Sequence, residues 1–171
     1  MTPAEALAAL RAAEARDGAP NLKQRRAMLL SLAREVKKRA QDIMAVLDAE
    51  YEGRAPIETL LADVLLVADA ALYVRRNLWL WMRPRRVSVP YPFWPARARE
   101  ECVPKGVIGI MAPWNYPVQL LLSPLVSAIA AGNCVVLKPS ELAPRTAEAI
   151  TELIRDCFGE RLVTVVNGGA D

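Results

Sequence analysis

Three short runs decide the fold class: VIGIM at 107–111, CVVL at 134–137 and LVTVV at 162–166. Each run is almost continuously apolar, which is typical of a strand covered on both faces of a parallel sheet. Helical patterns from Val118 to Ala131 and from Pro144 to Cys157 separate the runs. The resulting β-α-β-α-β order predicts an α/β domain with a parallel sheet.

The segments that leave the carboxyl ends of these strands are APWNYP at 112–117, KPSE at 138–141 and NGG at 167–169. Ligands of open α/β sheets bind outside the carboxyl ends of the strands. Two of the three segments are rich in polar side chains that a plain connector does not need. We therefore expect the functional site at this edge of the sheet.

Lys138 and Glu141 are suited to binding a ribose, because an acidic residue just past the second strand accepts hydrogen bonds from ribose hydroxyls. Lys138 is able to donate to the same ribose or to face a 2′-phosphate. Alternatively, Lys138 merely ends its strand, and Ser140 and Glu141 begin the next helix. No GxGxxG follows the first strand, so the usual dinucleotide fingerprint is missing.

The segment at 112–117 places Trp114 and Asn115 between two prolines, which restrict φ and stiffen the loop. A fixed Asn side-chain amide stabilises a developing oxyanion, an effect often worth about 3 kcal/mol. The alternative is a proline-rich turn whose Trp fills the core. The residues alone leave both interpretations open.

The first half of the chain is predicted to be helical. Thr2 to Glu5 forms a capping box, and Asn21 with Gln24 opens a second helix whose apolar stripe continues to Tyr51. A third long helix is expected from Pro56 to about Met82, burying a face that includes Leu61. Two short surface strands, at 87–89 and 98–103, should follow.

Composition excludes several classes of site. The chain has 171 residues, 53% hydrophobic, with a net charge of +3, three Cys and no His. Without His it cannot form a His-ligated metal site, a Ser-His-Asp triad or a Cys-His dyad. The cysteines form no CxxC pair, so we expect no metal and a reducing, cytoplasmic setting. Prolines and charges interrupt every candidate export signal or membrane span.

A basic, aromatic stretch offers a rival function. Residues 75–99 contain seven Arg, no acidic residue and five aromatic side chains, a combination able to bind single-stranded nucleic acid. The alternative, which we favour, is a helix end and hairpin at a subunit contact, with Arg lying over aromatic faces. We therefore expect no nucleic-acid partner.

The run PKGVIGIMAPWNYP at 104–117 resembles a signature of the aldehyde dehydrogenase superfamily. AGNCVVLKPSE at 131–141 follows at the spacing of that family, and NGG at 167–169 matches its next landmark. LLAD at 60–63 and WMRP at 81–84 look like the branch that includes coniferyl-aldehyde dehydrogenases.

The resemblance implies a Rossmann-like domain that uses NAD or NADP to oxidise an aldehyde to a carboxylic acid. It implies that Asn115 is the side-chain half of an oxyanion hole and that Tyr116 and Leu120 face the aldehyde. The implied cofactor-binding residues are Ala112, Pro113, Trp114, Lys138, Ser140 and Glu141. It also implies a helical segment at 1–84, a hairpin at 85–103 for homo-oligomer (dimer) contacts, and the first part of the cofactor domain at 104–171.

The family's nucleophilic cysteine and general-base glutamate lie farther along than residue 171. Cys102, Cys134 and Cys157 do not match that nucleophile, and each is expected to be an inert packed thiol. We therefore expect an incomplete domain, an amino-terminal fragment without turnover of its own. The alternative is a non-catalytic chain that binds nucleotide weakly or docks onto a longer subunit.

Overall fold

The amino-terminal helices begin where the sequence places their caps. The computed structural model describes residues 1–159 and 162–169. Helix α1 (Pro3–Asp17) and helix α2 (Leu22–Lys38) each open with the predicted reciprocal capping box, on Thr2 and Asn21. Helix α3 (Ala40–Tyr51) follows as a separate helix, and its carboxyl-terminal cap is left-handed.

The predicted helix from Pro56 to Met82 is not uniformly α-helical. A short helix α4 (Pro56–Glu58) leads into a π-helical segment (Thr59–Leu65), and helix α5 (Leu66–Trp81) continues from it. A π-helix has more residues per turn than an α-helix, so the buried face shifts within this segment. Asp63 consequently points inward, whereas Leu61, predicted to be buried, is 54% exposed.

The two surface strands form an antiparallel pair whose bounds differ from the prediction. Strand β1 (Arg85–Val87) begins and ends two residues earlier than expected, strand β2 (Ala98–Glu100) is three residues shorter, and every residue in both is exposed. Beyond the Arg85–Glu100 pair the register reaches Pro84, which lacks the N–H that a longer ladder needs, so pairing ends there. A 3₁₀ turn at Tyr91–Phe93 occupies the connection.

The second half forms the predicted parallel sheet. Strand β3 (Val107–Met111), helix α6 (Pro117–Ala131), strand β4 (Cys134–Lys138), helix α7 (Pro144–Phe158) and strand β5 (Val163–Val165) follow one another along the chain. Strand β4 lies in the middle and is parallel to both neighbours. The α/β prediction is therefore confirmed.

Coverage of the sheet differs between strands. Cys134 and Val135 face opposite sides of β4 and are both buried, as predicted for a strand covered on both faces. On β3 only Ile110 is buried, and Met111 is 80% exposed, so the expectation of two covered faces is wrong for this strand. Strand β3 lies at an edge of the described three-stranded sheet, and α1 and α6, which contact both strands, cover it less completely than β4.

The amino-terminal helices and the sheet share one apolar core. Helices α2 and α5 pack on α6, and α1 packs against β4. Buried side chains from both halves, such as Leu32, Val67, Leu125 and Val135, belong to one contiguous cluster. This packing brings the end of α3 and the π-helical segment beside the loop that follows β3. None of the described helices combines the length and apolarity needed to cross a membrane.

Candidate functional site at the carboxyl edge of the sheet

Residues 112–116, here called the Asn115 loop, join β3 to α6 at the carboxyl edge of the sheet. The Ala112 N–H donates to the Lys138 carbonyl oxygen at 3.2 Å, which fixes the start of the loop against the end of β4. Pro113, Trp114 and Asn115 are all exposed. Trp114 is 51% exposed, so the alternative that it fills the core is wrong.

The Asn115 side chain is free to act on a ligand. Within residues 1–159 and 162–169 its amide has no hydrogen-bond partner, while its backbone carbonyl accepts from Arg54 Nη1 at 3.1 Å. An exposed, unpartnered amide at this edge has the donor that oxyanion stabilisation requires. The backbone of the loop determines the position from which the Asn115 side-chain amide projects.

Lys138 and Glu141 form an ion pair at the end of β4. Lys138 Nζ lies 2.9 Å from Glu141 Oε2, and this hydrogen bond is the main reason that the pKa of Glu141 is lowered. Helix α7 begins only at Pro144. The alternative interpretation of the sequence, in which Ser140 and Glu141 begin this helix, is therefore wrong. Glu141 is exposed and ionised, and it presents a carboxylate to any ligand at this edge.

Ser140 supports the turn rather than projecting into solvent. It is buried, and its hydroxyl oxygen accepts a hydrogen bond from the Leu142 N–H at 3.2 Å. A cavity of about 220 Å³ lies beside it, lined by Pro139–Glu141, Asn167–Gly169 and the start of α7. Two of the three segments expected at the site therefore meet in one cavity.

The amino terminus of α7 carries an anion supplied by the protein itself. Glu50, on α3, accepts hydrogen bonds from the Thr146 N–H at 2.8 Å and from the Thr146 hydroxyl at 3.1 Å. A helix amino terminus attracts phosphate through its free N–H groups, and here a carboxylate already satisfies one of them.

The sequence analysis missed a group of side chains that reach the Asn115 loop from the amino-terminal half. The Tyr51 hydroxyl donates to the Trp114 carbonyl oxygen, and Arg54 donates to that of Asn115. Asp63 is fully buried beside Arg54. Asp63 lies in the LLAD run, but no local motif indicates the contacts of these residues with the loop and α6, because those partners lie more than 50 positions away in the sequence.

Tyr116 and Leu120 differ in their surroundings. The half-buried Tyr116 donates its hydroxyl to Glu58 Oε1 at 3.1 Å, and this bond is the main reason that its pKa is raised. Leu120, in the first turn of α6, is also half-buried and packs against the apolar core. Whether either side chain faces an aldehyde stays a prediction.

The three cysteines lie away from the Asn115 loop. Cys134 is at the amino end of β4, the opposite end from Lys138, and it is buried. Burial raises the pKa of Cys157, near the end of α7, to about 11. Cys102 is exposed, so the expectation of a packed thiol is wrong there, because the short β2 ends at Glu100 and leaves it unpaired. The described residues hold no cluster suited to a metal ion.

The comparisons with known proteins agree with this geometry. The profile described as "Aldehyde dehydrogenase family" matches residues 1–171. This chain belongs to the aldehyde dehydrogenase family. The resemblance found in the sequence is thereby confirmed, and so is the Rossmann-like α/β fold.

Curated relatives include members of the expected coniferyl-aldehyde dehydrogenase branch. A probable coniferyl aldehyde dehydrogenase of Pseudomonas aeruginosa is 37% identical over 152 residues, which are 89% of this chain and 32% of that protein. A mouse aldehyde dehydrogenase, family 3 member B3, is 35% identical over 149 residues, with 87% and 31% of the two chains covered. The chain thus spans about a third of the length of the curated relatives it matches.

Solved structures match almost the whole chain. The substrate-bound state of Staphylococcus aureus AldH superposes with a TM-score of 0.93 at 29% identity, covering 99% of this chain and 37% of that one. PnpE in complex with nicotinamide adenine dinucleotide gives a TM-score of 0.81 at 25% identity, with 96% and 33% covered.

Proposed function

We propose that this chain supplies part of the cofactor cleft and the oxyanion donor for the NAD-dependent oxidation of an aldehyde to a carboxylic acid. The observation that carries the proposal is that Asn115, on the loop after β3, and the Lys138–Glu141 pair, at the end of β4, lie at the same carboxyl edge of one parallel sheet. Family membership and the NAD complex among its structural neighbours support it.

The residues present fit an adenosine ribose. Glu141 offers an exposed carboxylate to the ribose hydroxyls, and Lys138 offers a donor beside it. Ala112, Pro113 and Trp114 are proposed to border the cofactor on the β3 side. Ser140 stabilises the turn after β4. The Glu141 carboxylate, placed next to the ribose 2′ position, would repel the 2′-phosphate of NADP. Lys138 is already paired with Glu141. We therefore favour NAD over NADP.

The Asn115 amide would donate to the aldehyde oxygen as negative charge develops on it. Such a donor acts in the transition state more than in the ground state, so it raises kcat. The bound nicotinamide supplies the hydride acceptor. Tyr116 and Leu120 are proposed to border the aldehyde, which is the small-molecule partner.

The described cysteines do not provide the nucleophile, because none lies near the Asn115 loop. We therefore propose that residues 1–171 alone do not turn over an aldehyde. The exposed aromatic hairpin at 85–103 is proposed to serve a homo-oligomer, such as a dimer. The three unpaired thiols support a reducing, cytoplasmic setting.

The test is aldehyde-dependent NADH formation by the full-length native protein and its Asn115→Ala variant. We expect kcat to fall about 100-fold, because one oxyanion donor is lost. The Asn115 side chain is exposed and has no hydrogen-bond partner among the described residues, so stability should be unchanged. An unchanged kcat would remove the oxyanion assignment. A native protein that binds NAD but oxidises no aldehyde would instead favour the non-catalytic, subunit-docking alternative.

A further inference from the structure

We propose that Tyr51, Arg54 and Asp63, here called the anchor residues, position Asn115 for the reaction. This inference rests on the proposed function, because it concerns the same oxyanion donor. The anchor residues lie on the end of α3, the following turn and the π-helical segment, while their target lies more than 50 residues later. They do not face the reacting atoms, so they are positioning residues.

Two of the anchor residues donate hydrogen bonds directly to the loop backbone. The Tyr51 hydroxyl donates to the Trp114 carbonyl oxygen, and Arg54 Nη1 donates to the Asn115 carbonyl oxygen at 3.1 Å. Two consecutive peptide groups are thus fixed from outside the sheet. The Asn115 side chain has no hydrogen-bond partner of its own among the described residues, so these bonds act on it by fixing the backbone from which its amide projects.

Asp63 links the same hold to the start of α6. Its Oδ2 accepts from Arg54 Nη2 at 2.8 Å, and its Oδ1 accepts from the Gln119 backbone N–H at 2.9 Å. A single buried carboxylate therefore joins the residue that holds the loop to the helix that follows the loop. Through these two hydrogen bonds, Asp63 is connected to the chain on both sides of Asn115.

The guanidinium of Arg54 also restrains Tyr116. Its central carbon lies 4.8 Å from the centre of the Tyr116 ring, and Arg54 Nη2 lies 3.6 Å from Glu58, which accepts the Tyr116 hydroxyl hydrogen bond. The planar fork of Arg is needed for contacts in several directions at once. Lys is able to replace only part of them.

The π-helical segment explains how these groups meet. It turns both Asp63 and Val64 to the buried side of one helix. The Arg54 side chain is 7% exposed, and Asp63 is its buried counter-charge. A buried pair of this kind favours one geometry, because any other leaves a charge without its partner.

The experiment compares Arg54→Met, Arg54→Lys and Tyr51→Phe with the unchanged protein. The matched control is Lys37→Met, which removes an exposed ion pair with Asp69 far from the loop. In the full-length native protein we expect Arg54→Met to lower kcat for aldehyde oxidation by about 10- to 100-fold, because small misplacements of a catalytic group cost that much. Arg54→Lys should recover part of the loss, and the KM for NAD should stay within about twofold.

A second readout uses the 171-residue chain, with its ¹⁵N-¹H NMR spectrum. Tyr51→Phe and Arg54→Met should shift the Asn115 side-chain amide resonances, whereas Lys37→Met should leave them in place. Tyr51→Phe removes a single hydroxyl, so it keeps the test valid if Arg54→Met does not fold. Unchanged Asn115 resonances in both folded variants would overturn the inference.

The kinetic outcomes separate the inference from the function on which it rests. If Asn115→Ala lowers kcat and the folded anchor variants do not, the anchor inference fails and the oxyanion assignment stands. If Asn115→Ala itself leaves kcat unchanged, the oxyanion assignment fails, and if the unchanged protein oxidises no aldehyde, the proposed function fails as a whole. Equal losses of kcat and of NAD affinity in Arg54→Met, without recovery in Arg54→Lys, would indicate a merely structural part for Arg54 and overturn the inference.

Discussion

Replacing Gly132 by Ala should destabilise the chain strongly, because Gly132 lies directly under a buried arginine. A Cβ added at Gly132 would come within 2.3 Å of the Arg25 guanidinium carbon, and the glycine has a φ of +88°. Arg25 donates to the Pro20 carbonyl oxygen at 2.6 Å and to that of Ala130 at 3.0 Å. These bonds join α2 to the end of α6, and the guanidinium cannot move aside without breaking them.

The expected loss follows from these contacts. Hydrogen bonds to a charged group contribute about 1.5–3 kcal/mol each. The left-handed backbone adds about 1 kcal/mol for an alanine. We therefore expect Gly132→Ala to lower the free energy of unfolding by about 4–7 kcal/mol, or the Tm by about 8–28 °C in a chain of this size.

The assay is urea unfolding followed by circular dichroism, in a double-mutant cycle with Arg25→Ala. Once the guanidinium is gone, Gly132→Ala should cost only about 1 kcal/mol, the backbone strain. Gly18→Ala is a matched control, because Gly18 also has a positive φ but no atom lies within 4 Å of its added Cβ. Additive effects in the cycle, or a loss below about 1 kcal/mol in Gly132→Ala alone, would refute the reasoning.

Three further outcomes follow from single side chains. A thiol reagent at pH 8 should label exposed Cys102 much faster than Cys157, because burial shields the Cys157 thiol and raises its pKa to about 11, which leaves little of it as the reactive thiolate. Equal labelling rates, measured by mass spectrometry, would contradict this. Glu141→Gln should weaken NAD binding and narrow the preference for NAD over NADP, as titration calorimetry would detect; an unchanged preference would remove Glu141 from the ribose site. Thr59→Val should raise the free energy of unfolding by about 1 kcal/mol in urea, because the buried Thr59 hydroxyl has no partner among the described residues; a loss of stability would show that the hydroxyl is satisfied.

Local signals in the sequence predicted most of the fold. The capping boxes on Thr2 and Asn21 placed the first two helices, because such caps involve residues only three positions apart. The apolar runs placed β3, β4 and β5, since a strand covered by helices needs consecutive apolar residues. Polar residues at the strand ends predicted the candidate site, because ligands of open α/β sheets bind outside the carboxyl ends of the strands.

Features that depend on distant partners escaped the sequence. The π-helical segment has no distinctive local pattern in the sequence. The exposure of Leu61 depends on how this segment packs against α6. The hold of Arg54 on Asn115 joins positions 61 residues apart, so no spacing rule reveals it. Trp114 was ambiguous because its exposure depends on which elements cover the loop.

The most direct test of the central claim is a titration of the ¹⁵N-labelled 171-residue chain with NAD, followed by NMR. Concentrations up to about 10 mM detect binding as weak as about −3 kcal/mol. We predict chemical-shift changes confined to residues 112–114, 138–141 and 167–169, and their reduction in Glu141→Gln. Shifts confined to the hairpin at 85–103, or none at any concentration, would contradict a cofactor site at the carboxyl edge of the sheet.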